Sequence, residues 1–149
     1  MITYKTDGEG KRFAKLVNGA LSKLFVYNEQ GQLVAELNPD GTLRSHFIYG
    51  TQEHSPDYML MNGVNYLLVK DHLGSMRLVV NSSTGSILQQ INYDEYGVVL
   101  SDANPGLQPF GFAGGVLDQE TKLTLFAARE YDAETGRWTA KDPIRFDGG

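Results

Sequence analysis

A four-residue motif, Asx-x-x-Gly, recurs along the chain and limits it to folds rich in tight turns. Asp or Asn at the first turn position accepts hydrogen bonds from the backbone ahead of it. Glycine at the fourth position tolerates the left-handed conformation that leads into a returning strand. Each copy therefore predicts a β-hairpin. The copies lie at residues 7–10, 28–31, 38–41, 71–74 and 94–97.

The spacing of the Asx positions is regular. Successive separations from Asp7 through Asn28, Asp71 and Asp94 to Asp132 are 21, 43, 23 and 38 residues. Each separation is near one or two units of about twenty residues, which indicates an internal repeat. Two-residue hairpin loops are also predicted at residues 18–19 and 62–63, where Asn-Gly occurs.

Short runs of aromatic and β-branched residues flank these turns and predict an all-β fold. One segment, residues 121–131, fits both helical and alternating spacing, so periodicity leaves it open. Residues 101–115, with two prolines and four glycines, predict a loop or irregular crossing. The predicted strands cover residues 13–17, 24–27, 32–37, 43–49, 58–61, 64–70, 75–80 and 86–93.

Composition excludes several functional classes. The 149 residues fit one domain. The net charge is −5, and no part of the sequence concentrates Lys and Arg into a basic stripe that could bind nucleic acid. No apolar run reaches the ~18 residues of a membrane span, and the first residues do not resemble a signal peptide. The chain has no cysteine, so disulfides and thiolate chemistry are excluded.

Several strings resemble the Rhs/YD-repeat family. Tyr-Asp-Glu-Tyr-Gly at residues 93–97 resembles the Tyr-Asp repeat itself. Val-Lys-Asp-His-Leu-Gly-Ser-Met-Arg-Leu-Val at residues 69–79 is similar to the Rhs-associated core segment. Pro-Phe-Gly-Phe-Ala-Gly at 109–114, Phe-Ala-Ala-Arg-Glu-Tyr-Asp-Ala-Glu-Thr-Gly-Arg-Trp at 126–138 and Lys-Asp-Pro-Ile at 141–144 follow in the family's order.

The resemblance implies ordinary YD repeats over about residues 1–50 and the Rhs core over about 64–149, within one unit. Consecutive antiparallel hairpins would form a curved or spiral sheet, a fragment of an Rhs shell, and the open segment 121–131 would be a strand. The implied function is a structural shell segment of a bacterial protein, secreted or on the cell surface, that encloses or presents a C-terminal toxin or effector. The implied partners are the remaining shell and that polypeptide.

The resemblance also marks one candidate catalytic residue. Asp142 matches the first carboxylate of an aspartyl-type self-cleaving pair, with Lys141 where Arg is common. The family's second carboxylate and its cut site come later than Gly149, so the chain is expected to be a truncated piece that does not cleave itself. A plain turn at Asp142 and Pro143 is the favoured alternative.

Other candidate sites are weaker. Asp71 and His72 are adjacent, and neighbours on a strand point to opposite faces, so they do not form a dyad. The histidines His46, His54 and His72 lack the close spacing of a metal site, and no cofactor is predicted.

Two further expectations concern partners. The tyrosines and Trp138 favour a rival function as a carbohydrate-binding or adhesin module, although packing between hairpins explains the tyrosines better. Unpaired strands at a truncated end, around residues 3–17 and 124–132, predict self-association through strand edges.

Overall fold

A computed structural model of the chain describes residues 1–50, 52–126 and 129–139. It contains two antiparallel sheets and one short 3-10 turn, which confirms the all-β prediction. The ten strands of the first sheet are β1 (Ile2–Thr6), β2 (Arg12–Val17), β3 (Ala20–Tyr27), β4 (Leu33–Leu37), β5 (Leu43–Ile48), β6 (Tyr58–Met61), β7 (Val64–Lys70), β8 (Met76–Asn81), β9 (Ile87–Tyr93) and β10 (Val99–Asp102). The second sheet comprises β11 (Val116–Leu117), β12 (Leu123–Phe126), β13 (Arg129–Asp132) and β14 (Arg137–Trp138).

The first sheet is a continuous meander in which every strand pairs with the next one along the chain. Connections therefore alternate between the two ends of the strands. At one end, here called the tyrosine end, the turns follow β1, β3, β5, β7 and β9. The last residues before these turns, at positions 6, 27, 49, 70 and 93, recur every 21 to 23 residues. The repeat predicted from sequence is thus one hairpin of this meander.

The five Asx-x-x-Gly motifs fold alike. In each, the glycine amide donates to the carbonyl of the first residue, at 2.9 to 3.1 Å, and the glycine φ lies between +82° and +98°. The residue before the motif pairs with the residue six positions later, after a register shift. These pairs are Thr6 with Arg12, Tyr27 with Leu33, Leu37 with Leu43, Lys70 with Met76, and Tyr93 with Val99.

Three further turns use a version that is one residue longer. They start at Asn81, Asp118 and Asp132, and their fifth residues, Gly85, Lys122 and Gly136, have φ of +78°, +64° and +68°. The first-position side chain accepts a backbone hydrogen bond from the residue two positions later in each turn. Threonine precedes the left-handed residue in all three, so Asx-x-x-Thr followed by Gly or Lys is the recognisable pattern.

One face of the first sheet is the inner face, and it carries the hydrophobic core. Its centre is formed by Phe47, Met59, Leu68 and Val79, all almost fully buried. Phe110, which comes from the segment after β10, completes this core, and its ring meets the edge of Phe47 with centroids 5.0 Å apart. The segment after β10 therefore covers the centre of the inner face.

The structure of the second half of the chain confirms the sequence prediction in part. The predicted loop at residues 101–115 contains the end of β10 and the 3-10 turn Phe112–Gly114. The open segment 121–131 is extended where described, as β12 and the start of β13, which confirms the strand interpretation.

The strands β11–β14 form a second antiparallel sheet, so the predicted consecutive hairpins are divided between two sheets. The expectation that residues 124–132 form an exposed edge is wrong, because β12 pairs on both sides and β14 covers the end of β13.

Candidate functional site: the junction of the two sheets

A recurrent tyrosine at the tyrosine end ties each hairpin to the one before it. The hydroxyl donates to the carbonyl of the first residue of the preceding strand, 15 to 17 residues upstream in the chain. Each link satisfies a partly buried carbonyl, and a neutral hydrogen bond of this kind is worth about 1 kcal/mol. The pairs are Tyr27 with Arg12 at 2.8 Å, Tyr49 with Leu33 at 2.8 Å, and Tyr93 with Met76 at 2.9 Å.

Burial governs the ionisation of these tyrosines. It raises the pKa of Tyr27 to about 12, and it raises the pKa of Tyr49 and Tyr93 further in the same direction. The ionised phenolate is disfavoured because the ring is removed from water. The hydroxyls therefore remain protonated donors at neutral pH.

Lys70 occupies the corresponding position at the end of β7. Its ammonium donates to the carbonyl of Pro56 at 2.9 Å and to the carboxylate of Asp57 at 2.6 Å. These acceptors lie in the long connection that enters β6, where the other hairpins present a strand carbonyl. The ammonium of Lys70 thus makes the equivalent link in this repeat, and the charge of the Asp57 carboxylate strengthens the hydrogen bond.

The two most specific strings of the sequence meet at the tyrosine end. The hydroxyl of Ser75, in the turn after β7, accepts a hydrogen bond from the amide of Ala113 at 2.7 Å. The amide of Met76 donates to the carbonyl of Gly111 at 3.1 Å. Residues 71–76 and 109–114 therefore form one structural unit, since each supplies backbone partners to the other.

Aromatic rings connect this unit to the second sheet. Phe112 stacks on Tyr131 with centroids 6.0 Å apart, and Tyr131 contacts Trp138 edge to face at 5.4 Å. The Tyr131 hydroxyl donates to the carbonyl of Tyr96, in the turn after β9, at 2.7 Å. The second sheet is thus held to the first by the same tyrosine-to-carbonyl contact that links the hairpins.

Charged side chains form the other side of the junction. Arg12 pairs with Glu130 at 2.6 Å, and the buried ammonium of Lys15 lies 3.3 Å from Asp118 and also contacts Glu120. Burial raises the pKa of Asp118, whereas the hydrogen bond from Lys15 lowers the pKa of Glu120. Two basic side chains of β2 therefore form ion pairs with three carboxylates of the second sheet and its first turn.

Between these contacts lies a groove of about 780 Å³. Its lining combines aromatic rings with polar side chains from turns at the tyrosine end. Trp138, about half exposed, lies in this lining, and the guanidinium of Arg129 covers its ring at 4.3 Å. The aromatic members are Tyr27, Tyr49, Phe110, Phe126 and Trp138.

The residues singled out as catalytic or metal-binding candidates are not brought together. Asp142 and Lys141 lie outside the described residues. Asp71 is the first residue of a turn and accepts hydrogen bonds from the amides of Leu73 and Ser75. Among residues 1–50, 52–126 and 129–139, no group of three or more acidic, histidine or cysteine side chains could hold a metal ion. No helix in the same ranges is long and apolar enough to cross a membrane.

Comparison with known proteins agrees with this architecture. The sequence matches the family model described as Teneurin YD-shell over residues 1–148. It is 32% identical over 145 residues to teneurin-3 of Danio rerio and 30% identical over 145 residues to teneurin-4 of Homo sapiens; each match covers 95% of the chain and 5% of the relative. It is 27% identical over 144 residues to the tRNA3(Ser)-specific nuclease WapA of Bacillus spizizenii, a match covering 95% of the chain and 6% of that protein.

Solved structures share the fold. The crystal structure of TcdB2-TccC3-TEV superposes with a TM-score of 0.65 at 17% identity, over 99% of the chain and 8% of that protein. The pore structure of the Photorhabdus luminescens Tc holotoxin gives 0.63 at 17% identity, over 97% and 8%. At this identity the likeness concerns the fold alone.

A repeated hairpin meander with tyrosine links defines a YD-type shell wall. The match over nearly the whole chain shows that it belongs to the teneurin YD-shell family, which confirms the YD-repeat resemblance inferred from the sequence. The chain spans about 5% of the length of the teneurins it matches.

Proposed function

We propose that the chain is a structural wall segment of a larger YD shell and carries out no catalysis itself. The observation that carries this proposal is the open meander. Within the described residues, β1 and β10 each pair on one side only, so further strands can add to the sheet at both edges. Unpaired strand edges present rows of amides and carbonyls that another strand can satisfy.

The proposed partners of these edges are adjoining hairpins of the same shell. In the isolated chain a second copy can pair at the same edges, because the unsatisfied backbone groups are chemically identical. The enclosed partner is proposed to be a C-terminal toxin or effector polypeptide, in a secreted or cell-surface bacterial protein. Similarity to a protein named as a nuclease and to a structure titled as a Tc holotoxin pore supports this proposal.

Amide hydrogen exchange tests the wall assignment. The exchange of β1 and β10 amides is compared between the 149-residue chain and the same chain extended by adjoining repeats. We expect protection of both edge strands to rise in the extended chain, because their free backbone groups become paired. The amides of β7, paired on both sides, serve as the internal control. Equal, rapid exchange of β1 and β10 in both proteins would refute the proposal.

A carbohydrate-binding function is the second candidate, and Trp138 at the groove is the observation in its favour. Arg129 already covers one face of the indole, and the hydroxyls of Tyr27 and Tyr49 are engaged with carbonyls. These contacts favour a structural use of the aromatic residues. Glycan-array binding that is lost in Trp138→Ala, while the melting temperature stays unchanged, would reverse that preference.

Asp142 is proposed as one half of a self-cleaving carboxylate pair in the longer protein only. A single carboxylate lacks the second group that aspartyl-type chemistry requires. Intact mass after long incubation at neutral pH is expected to equal the sequence mass of the 149-residue chain. A discrete fragment that disappears in Asp142→Asn would show that the chain contains the complete pair.

A further inference from the structure

An uninterrupted row of apolar side chains crosses the outer face of the first sheet, the face opposite the core. The row runs over five strands in register, because each member is the direct cross-strand partner of the next. Four of the five side chains are more than a third exposed, and Val80 is partly buried. The members, in order from β5 to β9, are Ile48, Tyr58, Leu67, Val80 and Ile87.

The rows on either side carry no charge. On one side His46, Leu60 and Asn65 are mutual partners, and on the other side Val69, Leu78 and Gln90 are. A chain with 21% charged residues and a net charge of −5 thus keeps the middle of this face free of Asp, Glu, Lys and Arg. A contiguous exposed apolar patch whose neighbouring rows carry no charged side chain is typical of an interaction surface.

We propose that this apolar row packs against the same row of a second copy of the chain. A two-fold axis parallel to the strands and passing over Leu67 reverses the order of the row. Ile48 then faces Ile87 of the second copy, and the large ring of Tyr58 faces the smaller Val80. The sequence of sizes along the row is therefore self-complementary, as an isologous interface requires.

The absence of charge supports a second copy as the occupant. Two chains of like net charge repel, and a patch without charged side chains adds no like-charge contact when it faces its own copy. Two sheets stacked face to face at about 10 Å can interdigitate such side chains.

The size of the row sets the expected strength. The exposed apolar area is on the order of 400 Å², within the range of the largest patches on monomers. Stable interfaces bury about 800 Å² on each partner. We therefore expect a weak dimer that dissociates on dilution.

Sedimentation equilibrium of the 149-residue chain over a wide concentration range tests the proposal. The expected result is a reversible monomer–dimer equilibrium that Leu67→Lys weakens at least tenfold, since it places two ammonium groups over the axis. Leu73→Lys is the matched control, because Leu73 is an exposed leucine in a turn away from the row. Ile87→Lys repeats the test at an exposed end of the row, in case Leu67→Lys disturbs folding.

Cross-linking separates this interface from pairing at strand edges. The chain has no cysteine, so Leu67→Cys provides a single thiol for a short bis-maleimide. Face-to-face packing brings the two thiols together, whereas any pairing through β1 or β10 leaves them at least seven strand spacings, roughly 34 Å, apart. Efficient cross-linking of Leu67→Cys supports the proposal. A strict monomer, or a dimer that is insensitive to Leu67→Lys and does not cross-link, would overturn it.

Discussion

Gly97 lies directly against the ring of Phe112, so that a Cβ at position 97 would be 2.5 Å from Cδ2 of the phenylalanine. Gly97 closes the turn after β9, and Phe112 belongs to the segment that returns across the tyrosine end. The glycine therefore serves two purposes, since its φ of +98° completes the turn and its missing side chain admits the ring. The turn that recurs along the chain thus also provides a packing site for the ring of Phe112.

Gly97→Ala should destabilise the fold more than Gly41→Ala does. Both glycines close the same type of turn, with φ of +98° and +89°, so the backbone strain is matched. No atom lies within 4 Å of a Cβ at position 41, whereas Phe112 must move at position 97. We expect an additional loss of about 1–3 kcal/mol at position 97. Urea unfolding of both variants measures the difference. Equal losses of stability would mean that Phe112 does not pack against position 97.

Gly31→Val and Gly97→Val extend this test to a branched side chain. Strain at positive φ alone should cost each variant roughly 1–3 kcal/mol. Gly97→Val should lose more, because at position 31 the nearest atom is the flexible end of the Lys11 side chain, at 3.3 Å. Thermal melts check the order. If both variants melt like the parent, the turn assignment is wrong.

Tyr93→Phe should lower the free energy of unfolding by about 1 kcal/mol, because the carbonyl of Met76 loses its hydroxyl donor while the ring remains. Tyr58→Phe is the matched control, since that ring lies on the outer face of β6. Chemical denaturation of the two variants gives the comparison. Equal effects would indicate that the tyrosine-to-carbonyl link contributes nothing to stability.

Alkaline pH should weaken the same links. The pKa of Tyr27 is raised to about 12 from an ordinary value of 10.0, so its stabilising contribution is complete below pH 10 and is lost as pH rises towards 12. Tyr49 and Tyr93 are shifted in the same direction and add to the slope. Circular dichroism melts between pH 9 and 12 should show a falling midpoint. A Tyr27→Phe variant should show a shallower fall, and an unchanged slope would contradict the assignment.

The hairpin repeat could be predicted from sequence because its information is local. Asp94 and Gly97 are three residues apart and determine their turn through hydrogen bonds within five residues. The repeat containing Tyr49 has no such motif, since a longer connection follows β5, and this explains the doubled separation between Asn28 and Asp71. Lys70 was likewise not recognised as the substitute for a tyrosine, because its acceptors are visible only in three dimensions.

The junction of the two sheets could not be predicted from spacing. The resemblance to the family marked residues 71–75 and 109–114 as separate strings. Nothing in either string indicates that the hydroxyl of Ser75 accepts a hydrogen bond from the amide of Ala113. Similarly, Lys15 and Asp118 are 103 residues apart and come together only after the chain crosses the inner face. Contacts of this kind depend on the path of residues 103–117, where proline and glycine carry little periodic information.

The charged side of the junction gives two substitutions with different expected effects on stability. Lys15 lowers the pKa of Glu120 below its ordinary value of 4.5, so this carboxylate contributes stability above that pH and loses it as pH falls below. Burial raises the pKa of Asp118, so its ionised form costs stability at neutral pH.

Glu120→Gln should therefore lower the midpoint of thermal unfolding at pH 7, and this loss should shrink as the pH falls below 4.5. The side chain is half exposed, and the expected loss is below about 1 kcal/mol. Asp118→Asn should leave the midpoint at pH 7 equal or higher, because its amide oxygen can still accept from the backbone amides of Glu120 and Thr121 while the buried charge is removed. The exposed Glu134→Gln is the control for a general charge effect. Equal losses in the first two variants at pH 7 would show that Lys15 depends on both carboxylates alike.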